Sequence, residues 1–173
     1  APVIPARLKK GGYFITSGII DFKEDQVKEA IEKAVGQYAV MNWTNYKLYD
    51  DIELRILLYP HVGFMDDDIE LMSALHGEED ELVLYISLLG GYYFLQGQHT
   101  SYHNGKYGFS DQVYNPNKFK VEAAVRTYLK QLGLQEIGEK EALQLVPDIS
   151  TELKELGEVC VFDCLFNDLF GPV

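Results

Sequence analysis

Fifty consecutive residues, Ile56 to Gly105, contain neither lysine nor arginine. Over the whole chain 15 basic residues face 27 acidic ones, a net charge of −12. Recognition of nucleic acid through its phosphates needs clustered Lys and Arg, so this balance argues against it. No run approaches the roughly 18 uninterrupted apolar residues of a membrane-spanning helix. Internal repeats, low-complexity tracts and Pro/Gly/Ser-rich linkers are also missing, so the 173 residues read as one domain, 1–173.

Cysteine is scarce. Cys160 and Cys164 lie in an apolar stretch, Glu158 to Phe166, that reads as a strand. In a strand their Cα atoms would stand about 13 Å apart at about 3.3 Å per residue. A disulfide needs less than about 7 Å, so two buried apolar thiols are expected. Such thiols fit a reducing compartment, and a cytoplasmic location is expected. The start, Ala1-Pro2-Val3-Ile4-Pro5, has no apolar secretory stretch. It also lacks methionine and reads as a processed or trimmed end.

Motifs of catalysis are equally thin. Neither G-x-G-x-x-G nor G-x-x-x-x-G-K-[ST] occurs, so no glycine turn is set to cradle a phosphate. His99 and His103 have H-x-x-x-H spacing, but Thr100 stands where a zinc peptidase carries glutamate. Ser101 and Ser110 belong to no G-x-S-x-G elbow. Asp66, Asp67 and Asp68 are consecutive and so lack the alternate spacing of a calcium loop. No metal or cofactor is expected, and binding is favoured over catalysis.

What is present is uneven. The base-free stretch holds eight acids in two clumps: Asp66, Asp67, Asp68 and Glu70, then Glu78, Glu79, Asp80 and Glu81. Such a region focuses negative potential. Locally, the first clump reads as the capped N-terminus of a short helix stopped by Gly77. The second reads as an exposed connection into a strand.

The remaining pattern supplies the elements. Gly12 to Ile20 reads as a strand, followed by a helix that Asp21 and Glu24 begin at capping-box spacing. Val27, Ile31 and Val35 repeat at helical period, and Gly36 closes that helix. Tyr38 to Tyr49 and Ile52 to Tyr59 read as strands. Glu81 to Leu89 and Tyr92 to Gln96 form a hairpin through Gly90-Gly91. From Gly97 to Tyr114 the alternation fails and a loop is expected. Asn115-Pro116 opens a helix through Leu132, and a weak helix spans Ser150 to Leu156.

This order predicts an α+β fold. A mostly antiparallel sheet of about five to seven strands carries two to four helices, packed mainly on one face. Tyr102 and Tyr107, in the aromatic, glycine-punctuated stretch behind the acids, supply rigid anchors with polar tips. The acids and tyrosines together suggest a small protein that binds a basic protein partner, as immunity proteins and antitoxins do. Its candidate contacts are Asp66, Asp67, Asp68, Glu78, Glu79, Tyr102 and Tyr107. The competing reading is a ligand-binding or hydrolase-like cleft beneath the Gly97–Tyr114 loop, with His99, Tyr102, His103 and Asp111 as its polar groups.

Overall fold

A computed structural model describes residues 24–45 and 49–168. The strand expected over Gly12–Ile20 and the capping role of Asp21 lie outside them. Helix α1 (Glu24–Val35) buries Val27, Ile31 and Val35, three positions one helical turn apart. It ends at Gly36, whose φ of +72° is available to glycine at little cost.

The sheet runs β1 (Val40–Asn42), β2 (Asp51–Leu57), β3 (Glu78–Ser87), β4 (Tyr92–His103) and β5 (Lys106–Ser110), each strand antiparallel to the next. A two-residue β6 (Gln135–Glu136) pairs with the start of β4 in parallel. Among the described residues the helices after α1 are α2 (Asp68–Ala74), α3 (Lys118–Gln131), α4 (Glu139–Ala142) and α5 (Val161–Leu165). The α+β architecture with a mixed, mainly antiparallel sheet of six strands agrees with the sequence pattern.

Alternation along the central strands sorts the two faces. Ile52, Leu54 and Ile56 of β2 and Leu82, Leu84 and Ile86 of β3 turn to one side. There they pack with Val27 and Ile31 of α1 and Val121, Val125 and Leu129 of α3. Full burial of such side chains contributes about 1.5–3 kcal/mol each. On the opposite face Val83, Tyr85 and Phe94 meet Phe162 and Phe166 around α5. At the other end of that face, Leu57 packs against Leu71 and Leu75 of the α2 segment. The two long helices thus share one face, and α2 and α5 cover only the ends of the other.

Several elements depart from expectation for identifiable reasons. Among the described residues of Tyr38–Tyr49, the expected strand survives only as β1, and 46–48 lie outside them. The Asn42 carboxamide oxygen accepts the Thr44 N–H at 3.0 Å, a local bond that competes with the ladder. The Glu158–Phe166 strand is instead the helix α5. Asp163 turns back to accept the Cys160 N–H at 2.8 Å, satisfying an amide that a strand would have paired. Cys160 and Cys164 are buried and form no disulfide. The Ser150–Leu156 helix is replaced by a turn in which Thr151 Oγ1 accepts the N–H groups of Leu153 and Lys154.

The largest correction concerns Gly97–Tyr114. It is the second half of β4, a tight turn and β5, and only 111–114 stay outside the sheet. Asn104 and Gly105 take φ of +54° and +75°, the two left-handed residues of a hairpin turn matched to strand twist. Gly97 lets the chain that follows β5 cross close by: a Cβ there would stand 2.5 Å from Val113 Cγ2.

Candidate functional site

Between the two covered ends, the second face of the sheet stays polar. Asp51, Glu53 and Arg55 alternate with the apolar residues of β2. Arg55 Nη1 donates to Glu81 Oε1 of β3 at 2.7 Å, and Arg55 Nη2 donates to Glu53 Oε1 at 3.1 Å. Gln98 Nε2 of β4 donates to the same Glu81 oxygen at 3.1 Å. Glu81 is only 3% exposed. Burial pushes its carboxyl up to about 7, and the guanidinium pulls it back only in part. Glu53 is raised by burial too, against the same Arg55. The acids expected in an exposed connection are therefore strand residues, and a base from an earlier strand offsets Glu81.

A cleft of about 320 Å³ opens over this row. Its floor is Arg55, Glu79, Glu81, Gln98 and Thr100, and α2 forms one wall through Asp68, Leu71 and Met72. Trp43 stands at one side, its ring centroid 4.1 Å from the guanidinium carbon of Arg55. Tyr107 and Phe109 of β5 close the opposite side with near-parallel rings 6.3 Å apart. All three methionines of the chain, Met41, Met65 and Met72, line it. Aromatic faces, thioethers and carboxylates together suit a cation carried on an apolar stem.

Glu79 differs from its neighbours. Its carboxylate has no hydrogen bond to the described residues. Burial first, then Asp68, hold its pKa above the usual glutamate value, while Arg55 lowers it. An uncommitted carboxylate facing a cleft can receive a proton or bind a cation.

Of the expected partner contacts, Asp68, Glu79 and Tyr107 line this cleft. Tyr102 packs its ring 4.6 Å from that of Tyr107. Asp67 is used structurally: its Oδ1 accepts the N–H groups of Ile69 and Glu70 and caps α2. Asp66 precedes that cap and is exposed. Glu78 lies on the far face of the sheet, where it joins His99 at 3.0 Å and His103 at 2.5 Å.

The four polar groups of the competing reading do not converge. His99 is held by Asp80 through Nδ1 at 2.7 Å and is edged by Tyr114, centroid to centroid 5.4 Å. Asp111 lines a separate, polar cavity with Lys118 and Arg126. Tyr102 is on the opposite side of β4 from His99 and His103, as strand alternation requires.

Trp43, Arg55 and Glu81 are not among the site residues expected from the sequence. A signal for Arg55 exists in Asp51-Ile52-Glu53-Leu54-Arg55-Ile56, where strict alternation marks a strand with one polar face.

No protein-family model matches the chain, and no solved structure matches it. Short segments do match curated proteins. One is 85% identical over 34 residues, 20% of this chain and 10% of a ribosomal protein L11 methyltransferase from Agathobacter rectalis. Another is 44% identical over 50 residues, 27% of this chain and 16% of a ribosomal protein L11 methyltransferase from Desulforamulus reducens. The matched segments thus span about a tenth to a sixth of those relatives' own length. Both names point to methyl transfer. They correct the expectation of an immunity protein or antitoxin and that of a hydrolase, neither of which has any support among these matches.

Proposed function

We propose that the chain takes part in methyl transfer to a basic protein, by seating the cationic side chain that receives the methyl group. The observation that carries this reading is the Trp43–Glu79–Phe109 cleft, which joins aromatic walls to an uncommitted carboxylate. A lysine fits that chemistry: its methylene stem packs on rings and thioethers while its ammonium meets carboxylates. An amine accepts a methyl group only as the free base: its lone pair would take the methyl from the sulfonium of S-adenosylmethionine, which would leave as the neutral thioether, so the seat needs a group that can take the ammonium proton. Glu79 is assigned that role, because desolvation raises its basicity toward the working range of a general base. The segments shared with two L11 methyltransferases favour methyl transfer over other uses of such a cleft.

Trp43 is the chain's one tryptophan, so its fluorescence reports on the cleft directly. Titration with a lysine-bearing peptide should give a saturable change, and the same peptide acetylated on lysine should bind at least about tenfold more weakly, a loss on the order of 1.4 kcal/mol. Tritium-labelled S-adenosylmethionine should label the lysine peptide in the presence of the chain, and Glu79→Gln should suppress the label. Equal binding of both peptides would overturn the cationic seat. Tight binding with no label transfer would overturn the role in methyl transfer and leave a lysine-binding protein.

A further inference from the structure

Among the described residues strand β5 ends the sheet and pairs with β4 alone. The register fixes which of its backbone groups are used. Across the Asn104-Gly105 turn, His103 pairs with Lys106, then Ser101 with Gly108 and His99 with Ser110. In a two-residue hairpin these are the pairs that exchange hydrogen bonds, and the residues between them face away. The N–H and C=O groups of Tyr107 and Phe109 therefore point outward from the sheet.

Exposed edges are commonly blunted by charge, proline or a bulge. This edge carries Lys106 at its end and then two large aromatics, Tyr107 at 44% and Phe109 at 66% exposure. Both rings also wall the acidic cleft. Backbone groups that no described residue pairs and cleft-lining side chains thus occur on the same two residues.

We propose that the outer edge of β5 takes an extended, lysine-bearing peptide as an added strand, its alternate side chains passing over Tyr107 and Phe109 toward the cleft. This rests on the reading of the cleft as a seat for a cationic side chain and adds how the rest of the substrate is held. An added strand would lie about 4.7–4.9 Å beyond β5, so every second side chain falls on the cleft face within a lysine's reach. Backbone bonds supply affinity without regard to sequence, and the pockets under alternate side chains supply selectivity.

Charge selects the occupant. Asp68 and Glu79 flank the cleft behind Tyr107, and Arg55 in the cleft floor is already held by Glu53 and Glu81. A second copy of this chain would bring the same acids to the same edge and carries a net charge of −12. A basic peptide is drawn to the field that a second copy opposes.

The test uses a short synthetic peptide alternating lysine with threonine, read by Trp43 fluorescence and by amide exchange at Tyr107 and Phe109. Methylating the peptide nitrogens one at a time should divide them into two alternating sets. One set should weaken binding about fivefold per nitrogen, the worth of a backbone hydrogen bond, and the other should be tolerated. On the protein, Phe109→Pro removes an outward N–H and leaves the bonds of Gly108 and Ser110 to β4 in place. It should abolish edge binding with little change in melting temperature, whereas Phe109→Val, which keeps the N–H but loses an aromatic wall of the cleft, should bind more weakly and still divide the peptide nitrogens into the same two sets.

If every nitrogen tolerates methylation, the peptide is held by side chains alone; strand addition is then wrong, although the cationic seat stands. If an alternating glutamine–threonine peptide binds as well and shows the same two sets, the edge stands and the cationic seat fails. Sedimentation showing a dimer that Phe109→Pro dissociates would make a second copy the occupant and overturn the peptide assignment.

Discussion

The guanidinium of Arg55 lies 4.1 Å from the centre of the Trp43 ring. One face of the cation is thus given to an aromatic surface while its nitrogens are given to Glu53 and Glu81. The arrangement holds a charge where apolar contact would otherwise be expected, on a strand whose other face is fully apolar. It also fixes the floor of the cleft, because Glu81 is oriented by Arg55 on one side and Gln98 on the other. With those carboxylates committed, Glu79 is left to face what enters.

Replacing that cation separates its structural role from any role in binding. Arg55→Met keeps the stem and leaves Glu53 and Glu81 buried without a counter-charge. Breaking a buried pair from one side costs about 3–5 kcal/mol. Burial raises both carboxyls in the folded protein, that of Glu81 to about 7, so the loss should be largest at pH 8 and smaller at pH 5, where Glu81 binds a proton. Urea denaturation at the two values checks this. Adding Glu81→Gln to Arg55→Met should recover part of the loss at pH 8.

Asp51 sets a second pH dependence. It is 2% exposed, and burial pushes its carboxyl up to about 6, with the Asn167 amide lowering it and Glu53 raising it. A carboxyl raised above its unfolded value favours folding when protonated. Its contribution is intact below the unfolded value and is lost as the pH rises through about 6. Asp51→Asn should therefore stabilise the protein at pH 8, by about 3 kcal/mol at most, and give no gain at pH 4. Melting curves at the two values decide it.

The same strand shows what could be read from sequence and what could not. Alternation in Ile52-Leu54-Ile56 was enough to place β2, and helical spacing of Val27, Ile31 and Val35 was enough for α1. The Asn104-Gly105 signal was present but was masked by the glycines and polar residues around it, so β5 was missed. Local pattern also cannot show that Arg55 will meet Glu81 across 26 positions of sequence. The second acidic clump therefore looked solvated until the sheet brought its counter-charge alongside. Cys160 and Cys164 misled for a similar reason. Apolar β-formers surround them, and the helix depends on Asp163 capping Cys160 while Lys154 holds Asp163 at 2.7 Å.

Gly97 should prove intolerant of even one added methyl. Its Cβ would stand 2.5 Å from Val113 Cγ2, and Val113 packs against the main core. Valine is stiff at χ1, so the crossing segment must shift as a unit. Gly97→Ala should cost about 1–3 kcal/mol. The cost should shrink when Val113→Ala is made in the same chain, a coupling that a double-mutant cycle in urea measures.

Glu79 ties the chemistry of the cleft to pH. Its carboxyl is held above the usual glutamate value by burial first and Asp68 second. It therefore becomes neutral at a higher pH than an exposed glutamate as the solution is acidified. Affinity for a lysine peptide should be full on the alkaline side of that raised value and should fall as the pH drops through it. Trp43 fluorescence titrations between pH 8 and pH 5 follow the change directly. Glu79→Gln should weaken binding at pH 8 and reduce the fall on acidification, the remainder following Glu81, whose carboxyl is pushed up to about 7. If the variant keeps the wild-type pH profile, the cation is met by another carboxylate, and Glu79 does not hold the ligand.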